Sequence, residues 1–387
     1  MTIPKKAGPR RQRVLDTINH RTPDQVPVDF GGSAVTGMHA SCVAALRDHY
    51  GLERRLVKIC EPYQMLGLIE DDLKEAIGVD ITPVFSRTNM FGFENRDWKP
   101  FLFNDLEVLV PGGFRTMTEP ETGGTLIYPR GDTSAPPSGH MPEGGFFFDA
   151  IIRQEPLDLK NLRAEDNLEQ YSLLTDKQLD EIEDDARATN TGEYAVFASL
   201  TNTSLGDISE VPAIDLTHPK GVRDIAEWYV LTASRPDIVH QIFERQVEIG
   251  IANLERIHAR IGDAIDVIYL CGTDFGTQRG PLCSPQVYRD LFMPFHRQVN
   301  DWVHRHTSWK TFIHSCGGVA PLLEDFIAAG FDILNSVQCS AEGMDARWLK
   351  REFGGRLTFW GGAVDTQRTL PFGTPEEVRR EVLERLE

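Results

Sequence analysis

Apolar runs alternate regularly with helical patterns along the second half of the chain. From residue 194 onward, each apolar run is followed by a segment of helical periodicity, and several of these segments open on a helix-start signal such as Ser284-Pro285 or Thr374-Pro375. Alternation of this kind predicts a parallel sheet, either closed into a barrel or doubly wound. The predicted strands of this half are 194–200, 264–270, 310–314, 331–337 and 357–360.

Two earlier runs extend the same sheet. Residues 26–32 predict a first strand that ends in a flexible glycine turn, and residues 79–85 predict a second. An eighth strand of a barrel is expected after the helix that begins at Thr374, but the sequence stops at Glu387. We therefore expect a carboxyl-terminally incomplete barrel, or one that closes in another way, whose unpaired edges favour self-association into a homo-oligomer.

Residues 90–150 have a different pattern. They are rich in glycine, proline and aromatic residues, and alternating runs at 106–110 and 124–128 are separated by turn residues. This pattern predicts antiparallel hairpins that form an insertion outside the barrel wall. Residues 155–192 are acidic and are predicted to be helix or loop. The expected organisation is one domain over residues 1–387, with the hairpin insertion inside it.

Composition narrows the class of protein. The 387 residues include 40 basic and 58 acidic ones, which gives a formal net charge of −18. Such an excess of acid argues against nucleic-acid and anionic-membrane partners. No apolar run approaches the ~18–20 residues of a membrane span, and the basic amino terminus lacks the apolar core of a secretory signal. The six cysteines contain no Cys-x-x-Cys pair, so we expect a reduced, cytoplasmic setting.

A histidine and a cysteine lie two positions apart where the run 310–314 ends. Because side chains alternate along a strand, His314 and Cys316 are predicted to share one face at the end of a buried strand. Imidazole and thiolate together suit zinc or another borderline-soft metal. The carboxyl end of a strand that feeds a helix is also where α/β folds place their chemistry. The alternative is a packed thiol beside a hydrogen-bonded histidine.

Four motifs, taken in order, resemble a known family. They are Gly272-Thr273-Asp274-Phe275-Gly276-Thr277-Gln278, His314-Ser315-Cys316-Gly317, Asp332-Ile333-Leu334-Asn335 through Gln338, and Phe359-Trp360-Gly361-Gly362 through Gln367. The chain thereby resembles the uroporphyrinogen decarboxylase superfamily, and most closely its corrinoid-linked methyltransferase branch, which includes the coenzyme M methyltransferases. The resemblance runs from about residue 10 to the end and is weakest over 90–190. It implies a (β/α)8 TIM barrel with the site at the carboxyl face of the strands.

The two branches differ after the first strand. The decarboxylase carries an Arg-Gln-Ala-Gly-Arg-Tyr stretch there, which grips the propionates of its substrate. Residues 30–37 of this chain contain no arginine. This difference weighs against porphyrinogen decarboxylation.

The methyltransferase branch holds zinc on a His-x-Cys pair and completes the site with a later cysteine near the last strand. The resemblance therefore implies zinc on His314 and Cys316. Because the chain ends before the position of that later cysteine, we expect Cys339, which follows the next strand, as the third ligand. Cys271, at another strand end, is the alternative. The other cysteines are expected to be structural: Cys42, Cys60 and Cys283.

Further polar residues follow predicted strands. They are expected to act on the substrate or around the metal, and the alternative is helix capping or loop hydrogen bonding. The expected catalytic residues are Asp274, Gln278 and Asp365, and the expected substrate-binding residues are Asp29 and Gln367. Three histidines on a predicted helix are expected to lie in packing or surface positions: His296, His304 and His306.

The sequence and the resemblance together imply a zinc-dependent methyltransferase. It would move a methyl group between a corrinoid protein, which is the expected partner and carries the corrinoid cofactor, and a thiol or other small acceptor. The direction of transfer stays open. Two alternatives remain: metal-free decarboxylation of a tetrapyrrole or other carboxylate, and a barrel without catalytic activity.

Overall fold

The computed structural model describes residues 7–157, 161–201 and 203–387. Residues 1–6 of the basic amino terminus and residues 158–160 of the acidic stretch lie outside the described residues. No helix of the described part is long and apolar enough to cross a membrane.

The described chain contains both helices and strands, with short 3-10 helices at Ala34–Thr36, Pro129–Gly131, Ala164–Asn167 and Ala320–Leu322. The strands are β1 (Met38–His39), β2 (Val57–Glu61), β3 (Leu66–Gly67), β4 (Ile81–Phe85), β5 (Lys99–Phe103), β6 (Leu106–Val110), β7 (Thr116–Thr118), β8 (Thr125–Ile127), β9 (Gly139–Met141), β10 (Asp149–Ala150), β11 (Ala195–Ser199), β12 (Val267–Cys271), β13 (Gly276–Thr277), β14 (Gly280–Pro281), β15 (Lys310–His314), β16 (Ile333–Asn335) and β17 (Thr358–Phe359). The α-helices are α1 (Pro9–Ile18), α2 (Ala40–His49), α3 (Asp71–Ile77), α4 (Asp176–Thr189), α5 (Ile225–Ser234), α6 (Pro236–Ile261), α7 (Pro285–Leu291), α8 (Met293–His306), α9 (Leu323–Ala328), α10 (Ala346–Phe353), α11 (Thr369–Phe372) and α12 (Pro375–Leu386).

A parallel sheet forms the centre of the fold. Its strand order is β17-β16-β15-β12-β11-β4, and every neighbouring pair is parallel. Most residues of these strands are buried, as expected for a parallel sheet with helices packed against it. The strand–helix alternation that the sequence predicts from residue 194 onward is therefore confirmed, as is the strand predicted at 79–85.

The predicted first strand is wrong. Among the described residues, 26–32 are not part of any strand, although Val28 lies beside the start of β4. Val28 makes both of its backbone hydrogen bonds to Asp80: its N–H donates to the Asp80 carboxylate, and its carbonyl accepts from the Asp80 N–H. Among the described residues, no further backbone hydrogen bond joins this segment to β4, and the chain turns away at Gly31, which has φ 84°.

Aromatic side chains show that the sheet is strongly curved. The ring centroids of Phe197 on β11 and Phe312 on β15 lie 4.8 Å apart, and both rings contact that of Trp360, just beyond β17, at 5.9 and 5.7 Å. The indole N–H of Trp360 donates to Asp29 at 2.9 Å. The segment beside β4 and the chain beyond β17 therefore approach one another, although within the described ranges β4 and β17 are not paired.

This architecture agrees with an α/β fold of the TIM-barrel type. The described strands do not form a closed barrel. The expectation of a missing eighth strand is untested and stays a prediction.

The insertion has sheets and a core of its own. Strands β7 to β10 form an antiparallel sheet, and β5 pairs antiparallel with β6, which confirms the predicted hairpins. One pairing in this region, β2 with β6, is parallel. The core combines aliphatic side chains, some of them from residues 40–73, with five buried aromatic rings: Phe91, Phe93, Phe103, Phe114 and Phe148.

Aspartates fix the register at the amino end of the parallel sheet. Asp266, directly before β12, accepts the N–H of Val196 on β11 at 2.8 Å, and Asp332, before β16, accepts that of Thr311 on β15 at 2.8 Å. Each carboxylate thus supplies a lateral hydrogen bond where the ladder begins. Asp266 is buried, and Arg11 of α1 donates to its other oxygen at 2.9 and 3.2 Å.

We predict that Arg11→Leu lowers the free energy of unfolding by about 3–5 kcal/mol, because it leaves the Asp266 carboxylate buried without a counter-charge. The matched control is Arg21→Leu, which breaks an ion pair with Asp16 whose arginine is 61% exposed. That change should cost at most ~1 kcal/mol. Urea unfolding measures both. When Asp266 has first been replaced by Asn, Arg11→Leu should lower the free energy of unfolding by less than it does in the wild type. An equal loss in the Asp266→Asn protein and in the wild type would contradict the charge argument.

Candidate metal centre

The candidate site lies where β15 ends. His314 is the last residue of β15, and Cys316 follows it after a single buried residue, Ser315. The structure places the two side chains together, with 3.3 Å between His314 Nε2 and Cys316 Sγ. Both residues are partly buried.

A third donor comes from the loop after the neighbouring strand. Asp274 follows β12 by three residues, and its Oδ1 lies 3.7 Å from His314 Nε2. The same oxygen accepts the backbone N–H of Cys316 at 2.7 Å. The ligand atoms of Asp274, His314 and Cys316 all lie within 4.8 Å of one another, and this is the one such group of three in the part of the chain that the structure describes. The sequence singled out Asp274 for catalysis and did not assign it to the metal.

Close backbone approach builds the loops around this group. A Cβ atom on Gly276 would lie 2.5 Å from the carbonyl oxygen of Cys316, and Gly317 has φ +84° against the same strand. Any larger residue would push the β13–β14 hairpin away from the Cys316 loop. The N–H of Gly318 donates to the Thr277 carbonyl at 2.8 Å, which fastens the two segments together.

Asn335 contacts the other ring nitrogen of His314. Its Oδ1 lies 2.5 Å from His314 Nδ1, and its Nδ2 donates to the carbonyl of Trp360 at 2.7 Å. Sequence reasoning missed this residue, although it ends the strand after His314 and belongs to one of the four motifs. Ser336 follows, with its Oγ 3.8 Å from Cys316 Sγ.

The surroundings of the group are acidic. Burial, together with the charge of the nearby Asp274 carboxylate, raises the pKa of the Cys316 thiol to about 11. Burial likewise raises the pKa of Asp207 to about 6 and that of Glu210 to about 8. Asp207 feels the charges of both Asp274 and His314, so it belongs to the same electrostatic neighbourhood. A bound cation would favour the anionic forms of all these groups.

The structure does not bring Cys339 to the group. Its side chain faces Gly362 and a surface depression that Met344, Asp345 and Trp348 also line. The chain turns sharply after β16, where Val337 has φ 59°, and the side chain of Gln338 is the one that turns back to accept the Gly317 N–H. Among the described residues, Asp274 is the third potential donor beside His314 and Cys316.

Cys271 also lies away from the group. It is fully buried at the end of β12, and burial raises the pKa of its thiol to about 12. Its position is that of a packed core thiol.

Asp29, one of the two expected substrate-binding residues, is connected to the site by hydrogen bonds. It accepts hydrogen bonds from Trp360 Nε1 and the Gly32 N–H, and burial raises its pKa to about 6. Trp360 is joined in turn to Asn335 and hence to His314.

The remaining expected residues have other local contacts. Asp365 accepts the N–H groups of Gln367 and Arg368, which caps the turn before α11, and Gln367 itself is exposed. Gln278 lies exposed at the tip of the β13–β14 hairpin. The structure does not bring these residues into contact with the metal group, and their catalytic and binding roles stay predictions.

Comparisons with known proteins agree with the motifs. Residues 213–387 match the family model of uroporphyrinogen decarboxylase (URO-D). No curated protein matches the chain. Among solved structures, the chain is similar to a methyltransferase from Methanosarcina mazei, with a TM-score of 0.52 and 14% sequence identity over 97% of this chain and 90% of that one. At this identity the similarity establishes the fold. The resemblance to the uroporphyrinogen decarboxylase superfamily is therefore confirmed by the family model over residues 213–387.

Proposed function

We propose that the chain is a zinc-dependent methyltransferase that moves a methyl group between a corrinoid protein and a thiol or other small acceptor. One observation carries the proposal: Asp274, His314 and Cys316 converge at the carboxyl end of a parallel, barrel-type sheet. Chemistry on such folds takes place at that end of the strands.

The donor set fits zinc. Imidazole nitrogen, thiolate sulfur and carboxylate oxygen are the three ligand types that zinc takes in proteins, and three protein ligands with an open fourth position are typical of a catalytic site. Nδ1 of His314 faces Asn335, so Nε2 is the nitrogen directed at the other two donors. When bound, zinc would lower the pKa of the Cys316 thiol and of an acceptor thiol, because the cation stabilises the thiolate.

The protein's own residues account for the rest of the site. Asp274 holds the Cys316 loop through the Cys316 N–H, so the thiol is oriented before any ligand arrives. Phe275 and Ser315 are buried behind the pair, and the Phe275 N–H donates to Ser315 Oγ at 2.8 Å. Phe312 lies two residues before His314 on the same strand and forms an apolar floor with Phe197. A methyl donor and an acceptor would meet above this floor.

We predict that zinc binding depends on the Cys316 thiol. Cys316→Ser should lose most of the zinc that the purified wild-type protein carries, because a hydroxyl is a far poorer ligand than a thiolate. Cys42→Ser removes an exposed cysteine elsewhere and is the matched control, which should keep the wild-type metal content. Metal analysis by mass spectrometry measures both. Equal zinc in wild type and Cys316→Ser would rule out this ligand.

We also predict that zinc binding depends on Asp274 and not on Cys339, the two candidates for the third ligand. Asp274→Asn keeps an oxygen that can accept the Cys316 N–H but loses the negative charge, and it should weaken zinc binding by at least ~10-fold, as expected for loss of a ligand charge. Cys339→Ser should leave zinc affinity unchanged, because its side chain faces Gly362. Competition with a chromogenic chelator gives both affinities. The reverse ranking would assign the third position to Cys339.

We further predict methyl transfer to a thiol and no decarboxylation of uroporphyrinogen. With methylcobalamin as a free methyl donor, zinc-loaded protein should transfer the methyl group to a small thiol, and the loss of the carbon–cobalt absorption band would report it. Uroporphyrinogen should not be decarboxylated, because no arginine lies in 30–37 to neutralise several carboxylates. Decarboxylation at ~1 per second or faster, a rate typical of enzymes, would instead support the alternative reaction.

A further inference from the structure

A buried asparagine connects three neighbouring strand ends beneath the candidate metal group. Asn335 is the last residue of β16 and is only 4% exposed. In the parallel ladder it lies directly opposite His314, and its own carbonyl accepts the Ser315 N–H at 2.7 Å. On its other side, the N–H of Trp360 donates to the Leu334 carbonyl at 2.8 Å. The backbone of these strands therefore fixes where the asparagine side chain lies.

The contacts of this side chain determine which way its amide points. On the β17 side it makes a hydrogen bond of 2.7 Å with the carbonyl oxygen of Trp360, and a carbonyl can only accept a hydrogen bond. The NH₂ group must therefore face Trp360. The amide oxygen must then face His314 Nδ1, 2.5 Å away.

The orientation of the amide in turn determines the proton position on the histidine. An amide oxygen can only accept, so His314 Nδ1 must carry a proton. In a neutral imidazole the other nitrogen then has no proton and is an acceptor. That nitrogen, Nε2, is the atom that lies 3.3 Å from Cys316 Sγ and 3.7 Å from Asp274 Oδ1. A hydrogen-bond acceptor of this kind is also the form of histidine that binds metal.

We propose that Asn335 is a positioning residue that keeps His314 in the Nδ1–H tautomer and so leaves Nε2 free to bind a metal ion. The tautomer that we assign to His314 depends only on the contacts around Asn335. The statement that Nε2 binds a metal ion rests on the proposed function. Asn335 touches neither Cys316 nor Asp274 in these contacts, so it acts through His314 alone.

Variants at Asn335 separate this role from simple packing. Asn335→Leu fills a similar volume but offers no acceptor to Nδ1, so both neutral tautomers become accessible. Asn335→Asp keeps an acceptor oxygen and loses the donor to Trp360, so it should retain the tautomer. The matched control is Asn300→Leu. Asn300 is a fully buried asparagine on α8 that donates to the Ala329 carbonyl at 2.9 Å and is not part of the candidate metal group.

Nitrogen NMR of the metal-free, histidine-labelled protein reads the tautomer directly. His314 is assigned by the signal lost in His314→Gln, and spectra are recorded at about pH 9, well above the ~6.5 at which histidine protonates. Wild type, Asn335→Asp and Asn300→Leu should show a protonated Nδ1 and an unprotonated Nε2. Asn335→Leu should show a substantial population protonated at Nε2. A protonated Nε2 in wild type, or an unchanged spectrum in folded Asn335→Leu, would overturn the proposal.

Zinc affinity provides the second readout, with Zn²⁺ alone as the probe. Asn335→Leu should bind ~10–100-fold more weakly than wild type, as is typical when the partner of a metal-binding histidine is removed. Asn335→Asp and Asn300→Leu should stay within a few-fold of wild type. Equal affinities in wild type and Asn335→Leu would overturn the metal part. If wild type binds no zinc, the proposed function fails, while the NMR result still decides the role of Asn335. If Asn335→Leu does not fold, wild type and Asn335→Asp decide it.

Discussion

The lateral register of the parallel strands is the constraint on which the candidate site depends. Donors on β15, after β12 and at the end of β16 converge only if each strand begins at the right height relative to its neighbour. Aspartates at the amino end set that height, because Asp266 and Asp332 each accept the N–H of the second residue of an adjacent strand. A slip of one residue would turn His314 from the barrel interior toward the helices. The chemistry at one end of the sheet is thus linked to hydrogen bonds at the other.

Burying carboxylates at the amino end of the sheet is electrostatically unfavourable, and two arginines of α1 offset this effect. Arg11 donates to Asp266, and Arg13 lies 2.6 Å from Asp80. At the carboxyl end, by contrast, the candidate metal group itself contains Asp274, whose charge acts on the buried Asp207. A metal cation bound there would offset both negative charges.

Hydrogen bonding at the candidate centre is arranged in layers. Asp274 holds the backbone beside the thiol, Asn335 holds the far nitrogen of the imidazole, and the Trp360 carbonyl holds Asn335. The indole of Trp360 extends the same chain to Asp29. Supporting residues of this kind orient ligands before the metal binds, and preorganisation reduces the entropy that binding must overcome. The barrel-type curvature is essential here, since it brings Trp360 and Asp29 together from opposite edges of the sheet.

Much of this protein was determined by the sequence alone. Strand–helix alternation predicted the parallel sheet, alternating runs at 106–110 and 124–128 predicted the antiparallel insertion, and period-two geometry predicted that His314 and Cys316 would meet. These features depend on local periodicity, which a sequence records directly. Only the tertiary structure decided that 26–32 forms no strand, that Asp274 rather than Cys339 lies beside His314 and Cys316, and that Asn335 contacts His314. Each of these depends on which residues of different strands lie side by side. Such register arises from packing and hydrogen bonds between segments far apart in the chain, and no local pattern specifies it.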